Sequence, residues 1–514
     1  MVQYMDNQSG FNQWNRMNAK KPSGFSGIFW WLFLFFFAWW IIGIWVKPQN
    51  TEIKEVAPIT VEQSTATKQN IKNDEISFDV QGLRISNVLL NKHKKDSKSE
   101  DHVALLNGVN DFVEIGYVSS EVSVPNVNTH WDMKNNVMHW NASNVHFTRN
   151  ITTEGYVIKV SDTIKNTSNK EISVSPYVQI TQSAKDKSSA AVETGGVVYA
   201  NSDLDYVNWN KLNKKSVAYS SVDASFGFAD QYWETIASVS AKDQTVSLKK
   251  SGDLYFAQTN VAPIKIAAKS ESEINTYVFT GPRQSDVLKT AEKNIPGITE
   301  TMDYGWFWFF AEPMLWMINW LYALVGNYGI AIILMTLILR ILIWPLTRKS
   351  YVSTMAMQKM QPELQRVQKL YANDKVRLQM EMMKIYQTHK TSPMSGCLPM
   401  LIQIPIFFAL YKALLISVPM RSAHFLWISD LAVMDPYFIL PILMGATMWL
   451  QQYLQTPQTS KTNDIAASTQ RVMKWMPVLF TVLFAWMPAG LVLYWTVSNV
   501  FGILQMYIIK KTMK

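Results

Sequence analysis

The chain has 514 residues and a formal net charge of +9, and its mean hydropathy near zero hides apolar runs at both ends and a polar middle. A single cysteine, Cys397, excludes an intramolecular disulfide framework and, standing alone, suggests no metal site. The basic residues cluster beside the apolar runs, which points to membrane topology and anionic headgroups rather than to sequence-specific nucleic-acid binding.

Residues 1–27 form a polar head carrying Arg16, Lys20 and Lys21, and the uncharged run 28–46 follows, interrupted only by Gly43. It is long enough to cross a bilayer. Lys47-Pro48-Gln49 comes next instead of a small-residue cleavage site, so an uncleaved anchor is expected, with its basic flank in the cytoplasm.

Nothing in 47–303 is long and apolar enough to span. Residues 51–73, rich in Thr, Gln and Lys, read as a linker. Beyond it the period becomes two, as in Ile76, Phe78 and Val80 or Tyr156, Ile158 and Val160. Residues 155–164 and 171–181 flank the turn-forming Asn166-Thr-Ser-Asn169 and predict a hairpin. Further strands are expected around 217–228, 247–258 and 274–279, with a closing helix over 285–293. Many short strands imply a large β-sandwich outside the cytoplasm, held by its core alone. His93, His102, His130, His139 and His146 lack metal-ligand spacing, and no Gly-x-Ser-x-Gly elbow occurs, so neither a metal nor a catalytic site is expected there.

Residues 304–325 are apolar enough to pass for a span. Counting them as one would carry the basic segment after Thr347 outside, against the positive-inside rule, and Glu312-Pro313 interrupts the run. Their tryptophans and tyrosines predict an amphipathic helix lying on the outer leaflet, with Gly326-Asn327 turning the chain into a span over 329–346. Residues 347–393 are basic and predict a cytoplasmic helical hairpin, capped by Asp374 in its second arm and kinked or restarted by Pro362 in its first. Its methionines, Met355, Met357 and Met360 among them, serve either packing between the arms or a yielding surface for varied apolar sequences. Spans follow over 398–418, 437–453, 475–488 and 491–509. The loops 419–436 (outside) and 454–474 (inside) and the basic tail 510–514 complete a self-consistent topology of six transmembrane helices with both termini cytoplasmic.

The span 329–346 carries Arg340 roughly 15 Å from its start, near the middle of a hydrocarbon core about 30 Å thick. A central arginine costs roughly 2.5–3.5 kcal/mol on insertion scales, so it must face a partner or water inside the bundle. A buried ion pair would satisfy it. The other late spans carry no carboxylate at that depth, which favours a solvated, positively charged cavity. Thr336 shares its helix face, Trp495, Ser498 and Asn499 share one face of the last span, and Gln403 adds a polar group from the third. Lys412 lies near the outer end of its helix, within snorkelling reach of the interface.

Five stretches carry a family resemblance: Thr336-Leu-Ile-Leu-Arg340-Ile-Leu-Ile-Trp344-Pro345, Met360-Gln-Pro362, Asn373-Asp-Lys375, Gly396-Cys-Leu-Pro-Met-Leu-Ile-Gln403-Ile-Pro405, and Pro488-Ala-Gly-Leu-Val-Leu-Tyr494-Trp-Thr-Val-Ser498-Asn499. From Tyr304 onward the chain resembles the YidC/Oxa/Alb family of membrane insertases, in its Gram-negative form with a large periplasmic domain. The resemblance implies an insertase and chaperone of the cell inner membrane, not an enzyme. It implies a hydrophilic groove open to cytoplasm and lipid, with Arg340 as its cation and Thr336, Gln403, Trp495, Ser498 and Asn499 as lining. It also implies a cytoplasmic hairpin contacting partners through Met355, Met357, Met360, Arg366, Lys375 and Arg377. The implied partners are nascent membrane proteins, the Sec translocon, the ribosome, the signal recognition particle receptor and membrane lipids. Lys412 departs from the apolar or aromatic residue expected there. No phosphate-binding glycine loop occurs and no cofactor is expected, so energy must come from moving apolar side chains into lipid, about 0.8 kcal/mol per buried CH₂. A solute transporter, or a β-domain enzyme on a membrane anchor, are the alternative readings.

Overall fold

The computed structural model describes residues 64–95, 99–134, 137–183, 192, 194–389, 398–455 and 475–512. The expected head and first anchor (1–27 and 28–46), Cys397, and most of the loop 454–474 lie outside the described residues.

Residues 64–302 form two facing antiparallel sheets. One runs in the order Lys68–Lys72 (an edge strand), Ile76–Gln81, Arg84–Lys94, Phe112–Val118, Ile172–Ser183, Leu254–Val261, Gln244–Ser251 and Val217–Ser221. The other runs in the order Asp203–Asn208, Gly195–Ala200, Ala224–Ala229, Trp233–Val239, Glu271–Pro282, Val157–Asn166, Val145–Glu154, Val137–Ala142 and Asp132–Lys134. Alternation decides which side faces in: Val145, Phe147 and Ile151 from one strand and Ile158, Val160 and Ile164 from its neighbour are buried in a shared core.

The hairpin expected across Asn166-Thr-Ser-Asn169 does not form. Val157–Asn166 pairs with Val145–Glu154 and Glu271–Pro282, whereas Ile172–Ser183 belongs to the opposite sheet. The turn residues do mark a reversal, but the reversal passes between layers. Asn166, fully buried, secures it by donating to the carbonyls of Lys170 (2.8 Å), Ile266 (3.0 Å) and Ala267 (3.1 Å). The stretch 217–228 likewise divides into Val217–Ser221 and Ala224–Ala229, one in each sheet.

Ten helices appear among the described residues. Helix α1 (Trp209–Leu212) is a single turn, and α2 (Ser285–Ala291) precedes the 3₁₀ turn Ile298–Thr301 that leaves the sandwich. Helix α3 (Trp308–Val325) buries Ala311, Met314, Ile318 and Leu321 and exposes Trp308, Phe309, Trp316 and Trp320, so its outer face is aromatic rather than charged. Gly326, left-handed at φ +68°, ends it. The Asn327 side chain then caps α4 (Tyr328–Leu342) by accepting from the Ile330 N–H at 3.2 Å.

Helices α4 and α5 (Trp344–Leu370) meet at 65° around Ile343, with Pro345 in the first turn of α5. The span expected to run straight through 346 therefore bends inside its last turn. Pro362, expected to kink or restart α5, lies within one continuous helix. Asp374 caps α6 (Lys375–Thr388) by accepting from the Arg377 N–H at 3.0 Å, and α6 folds back on α5.

Helices α7 (Leu398–Ile416), α8 (Ile439–Gln455), α9 (Trp475–Phe484) and α10 (Ala489–Thr512) follow. Helix α3 packs on α4 and α7, and α10 packs on α4 and α8. Among the described residues, α10 alone is a single helix long and apolar enough to cross a membrane; the bent pair α4–α5 passes the same test together, while α9 is shorter.

Candidate functional site

Helix α10 buries one stripe, Leu491, Tyr494, Ser498, Gly502, Gln505 and Ile509, recurring at three and four residues. Helix α4 faces it with Ala331, Ile332, Met335 and Thr336. Where the two meet, half-buried Arg340 donates through Nε to Ser498 Oγ at 2.8 Å and through Nη2 to the same oxygen. Gln505 donates to the Arg340 carbonyl at 3.2 Å. Among the described residues no ion pair involves Arg340. The guanidinium is therefore a cation held by a neutral hydroxyl inside an apolar bundle.

The polar contacts continue to α7. Gln403 Nε2 donates to the Tyr494 hydroxyl at 2.5 Å, and Tyr494 lies one turn before Ser498 on α10. Gln403, Tyr494, Ser498 and Arg340 thus form a ladder across three helices. Thr336 and Asn499 stand apart from it. Thr336 is fully buried and donates to its own helix at Ile332 O (2.7 Å), and Asn499 donates to Met444 O and Thr447 Oγ1 on α8, both 3.3 Å. Trp495 packs against Phe407, Phe480 and Phe484, with ring centres 5.3, 6.0 and 5.0 Å away.

Tyr494 and Gln505 are the members that the sequence does not single out residue by residue. Their spacing from Ser498, four and seven residues, places them on its face and is readable once that face is chosen.

In the hairpin, Met360 is buried, Met355 and Met357 are half-buried, and Arg366 and Arg377 are exposed. The Arg377 guanidinium lies 5.6 Å from the centre of the Tyr371 ring, and Lys375 is the first residue of α6. Met380 and Met383 are more than half exposed, so α6 presents flexible apolar side chains outward.

The C-terminal end of α7 is fastened to the β domain. Leu415 and Ile416 join the sandwich core, and Gln231 Nε2 donates to the Leu415 carbonyl at 2.8 Å. Lys412 pairs with Asp303 at the exit from the sandwich. Gly305, left-handed at φ +69°, lies over the lysine stem, where an added Cβ would approach its Cε to 3.2 Å.

Two family descriptions match in succession: "YidC periplasmic domain" over residues 68–317 and "60Kd inner membrane protein" over residues 320–514. Proteins named "Membrane protein insertase YidC" from Rickettsia bellii (32% identity, 90% of this chain and 91% of that one) and Rickettsia canadensis (33%, 89% and 90%) are similar over nearly the whole length. The chain belongs to the YidC family. A solved structure, "Active YidC insertase crystal structure with the first transmembrane domain resolved", is similar at 18% identity over 86% of this chain and 93% of that one, with a TM-score of 0.39. Family membership makes the two-sheet domain periplasmic and the chain an inner-membrane protein.

Proposed function

We propose that this chain inserts nascent membrane proteins into the inner membrane and assists their folding, with no enzymatic step. The observation that carries the reading is Arg340, a cation inside an apolar bundle held on Ser498 and without an ion pair among the described residues, in a chain similar throughout to proteins named insertases.

In this reading the run 28–46 and helices α4, α7, α8, α9 and α10 cross the bilayer, with both termini cytoplasmic. Helix α9 is short for a hydrocarbon core of about 30 Å, which favours local thinning. The ladder Gln403–Tyr494–Ser498–Arg340 forms the polar wall of a groove open to cytoplasm and lipid. A substrate's polar segment crosses along that wall while its apolar segment moves into lipid. Each CH₂ transferred contributes about 0.8 kcal/mol, and the membrane potential adds about 2.3 kcal/mol per charge per 100 mV. Arg340 attracts acidic residues near the leading end of the substrate and lowers the penalty of their transit. The basic hairpin α5–α6 receives the chain, with the Sec translocon, ribosome and signal recognition particle receptor as partners.

The test is insertion of a single-spanning substrate with an acidic outer tail into liposomes holding only this protein, scored by protease protection of the tail. Protection with wild type, lost in Arg340→Ala and kept in Arg340→Lys, is the expected result. Protection kept in both variants removes the electrostatic role of Arg340. No protection with folded wild-type protein rejects the insertase reading.

A further inference from the structure

A cleft of about 450 Å³ opens between the β domain and the segment that follows α7. The end of the strand Arg84–Lys94 contributes Lys92, His93 and Lys94 to one wall, with Trp233 beside them. Arg421 and His424 line the other. No carboxylate is among its lining residues.

Arg421 is fixed rather than free to swing. Its Nη1 and Nη2 donate to the carbonyls of Lys94 (3.4 Å) and Lys95, and its guanidinium carbon lies 5.6 Å from the Trp233 ring centre and 6.0 Å from that of Tyr232. A guanidinium has five donor hydrogens, so an oriented donor set remains for an anion. Lys92 pairs with Glu75 and Lys94 with Glu100, but both lysines are more than half exposed. Exposed pairs of this kind hold their partners only weakly, so either ammonium can turn to a better anion. His93 is held neutral, its pKa lowered by burial and then by Arg421 and Lys92. The positive charge therefore comes from Lys92, Lys94 and Arg421, with His424 exposed at the rim.

The height of the cleft selects the anion. Its outer wall begins at Val418, two residues beyond Ile416, where α7 ends. Under the reading of α7 as a span, that is the level of the phosphates of the outer leaflet. We propose that this cleft binds a phosphate-bearing anion, supplied by an anionic lipid headgroup or by free phosphate, through Lys92, Lys94, Arg421 and His424. A headgroup held there would tie the periplasmic domain to the lipid surface beside α7. Charge-assisted, geometrically matched contacts are the means by which arginine and lysine recognise phosphate.

The full chain, purified and delipidated in a neutral detergent, is titrated with phosphatidylglycerol, phosphatidylcholine or inorganic phosphate, and bound species are counted by native mass spectrometry. Wild type is compared with Lys92→Gln/Lys94→Gln/His424→Gln, and with Lys165→Gln/Lys242→Gln/Lys250→Gln, which removes exposed charge elsewhere on the β domain. The expected result is one phosphatidylglycerol retained by wild type and by the distant triple variant. The cleft variant should bind it about tenfold more weakly, which corresponds to about 1.4 kcal/mol. Phosphatidylcholine should show no such difference. Phosphatidylglycerol binding without phosphate binding assigns the site to lipid; phosphate binding lost in the cleft variant assigns it to the free anion. Equal binding of both anions by wild type and cleft variant overturns the proposal, and so does an equal loss in the distant variant. Unchanged unliganded melting of the cleft variant shows that it is folded; if it is not, Lys94→Glu, a single exposed change, takes its place and should weaken phosphatidylglycerol binding in the same direction.

Discussion

Lys412 of α7 and Asp303, five residues before the start of α3, form an ion pair with each side chain about one-fifth exposed. The lysine thereby joins α7 to the exit of the β domain. The Gly305 N–H also bonds to Asp303 at 2.8 Å, so the carboxylate holds the turn and the helix together.

Asp303→Asn is expected to leave the ammonium half-buried without its counter-charge. The cost should fall between those of exposed and fully buried pairs, about 1–2 kcal/mol. Asp303→Asn/Lys412→Met should recover most of it, because the uncompensated charge is gone. Thermal unfolding in detergent, followed by tryptophan fluorescence, compares the two. A double variant no more stable than Asp303→Asn alone would show that the charge is not the source of the loss.

Arg149 and Asp162 are direct cross-strand neighbours pointing into the sandwich, each nearly inaccessible. Arg149 donates to Asp162 at 2.7 and 2.8 Å and reaches the Ile115 carbonyl of the opposite sheet at 3.0 Å. Tyr117 of that sheet donates to Asp162 at 2.6 Å. Burial and the carboxylate push the Tyr117 hydroxyl well above its ordinary pKa, so it remains a donor. Asp162→Asn should cost about 3–5 kcal/mol by stranding a buried guanidinium. Tyr117→Phe removes only one neutral donor and should cost about 1–3 kcal/mol. Urea unfolding of the two variants checks the order, which reverses if the tyrosine is the main tie between the layers.

Glu234 is buried beside Arg283 and accepts from Thr301 Oγ1 at 3.1 Å, where the chain leaves the sandwich. Burial raises its pKa to about 7 from 4.5, outweighing Arg283 and then Thr301, which both lower it. Between those values the folded state holds a proton that the unfolded state has lost, so this residue makes stability fall as pH rises from 4.5 towards 7. Glu234→Gln should abolish that part of the slope and leave the protein relatively more stable at pH 7 than at pH 5. Parallel pH–stability curves for variant and wild type would contradict it.

Period and polarity carry much of the architecture into view from the residues alone. Alternation at Ile76, Phe78 and Val80 marks a strand, and Gly326-Asn327 and Asp374 mark helix boundaries, because these signals are local. What stays hidden depends on partners distant in sequence. The turn at Asn166 contains nothing that says whether the next strand pairs in the same sheet or crosses to the other; the carbonyls of Ile266 and Ala267, about a hundred residues on, decide it. Arg340 stands out because a charge in an apolar run is conspicuous. Tyr494 and Gln505 do not, since tyrosine and glutamine become informative only when the stripe facing Arg340 is known.

Ser498 touches the Arg340 guanidinium, and two roles are open to it: orienting that cation or meeting substrate itself. A double-mutant cycle separates them. Ser498→Ala removes the hydroxyl but keeps the charge, so its effect on protection of an acidic tail should be smaller than that of Arg340→Ala, about threefold to tenfold, or roughly 0.7–1.4 kcal/mol. If Ser498 acts by holding Arg340, adding Ser498→Ala to Arg340→Ala should produce no further loss. If it meets substrate directly, the two losses should multiply. The same cycle with Gln403→Leu probes the next rung: it bonds to Tyr494 and not to the guanidinium, so a weaker coupling to Arg340 is expected. Full additivity of Gln403→Leu with Arg340→Ala would mean that the ladder ends at Ser498.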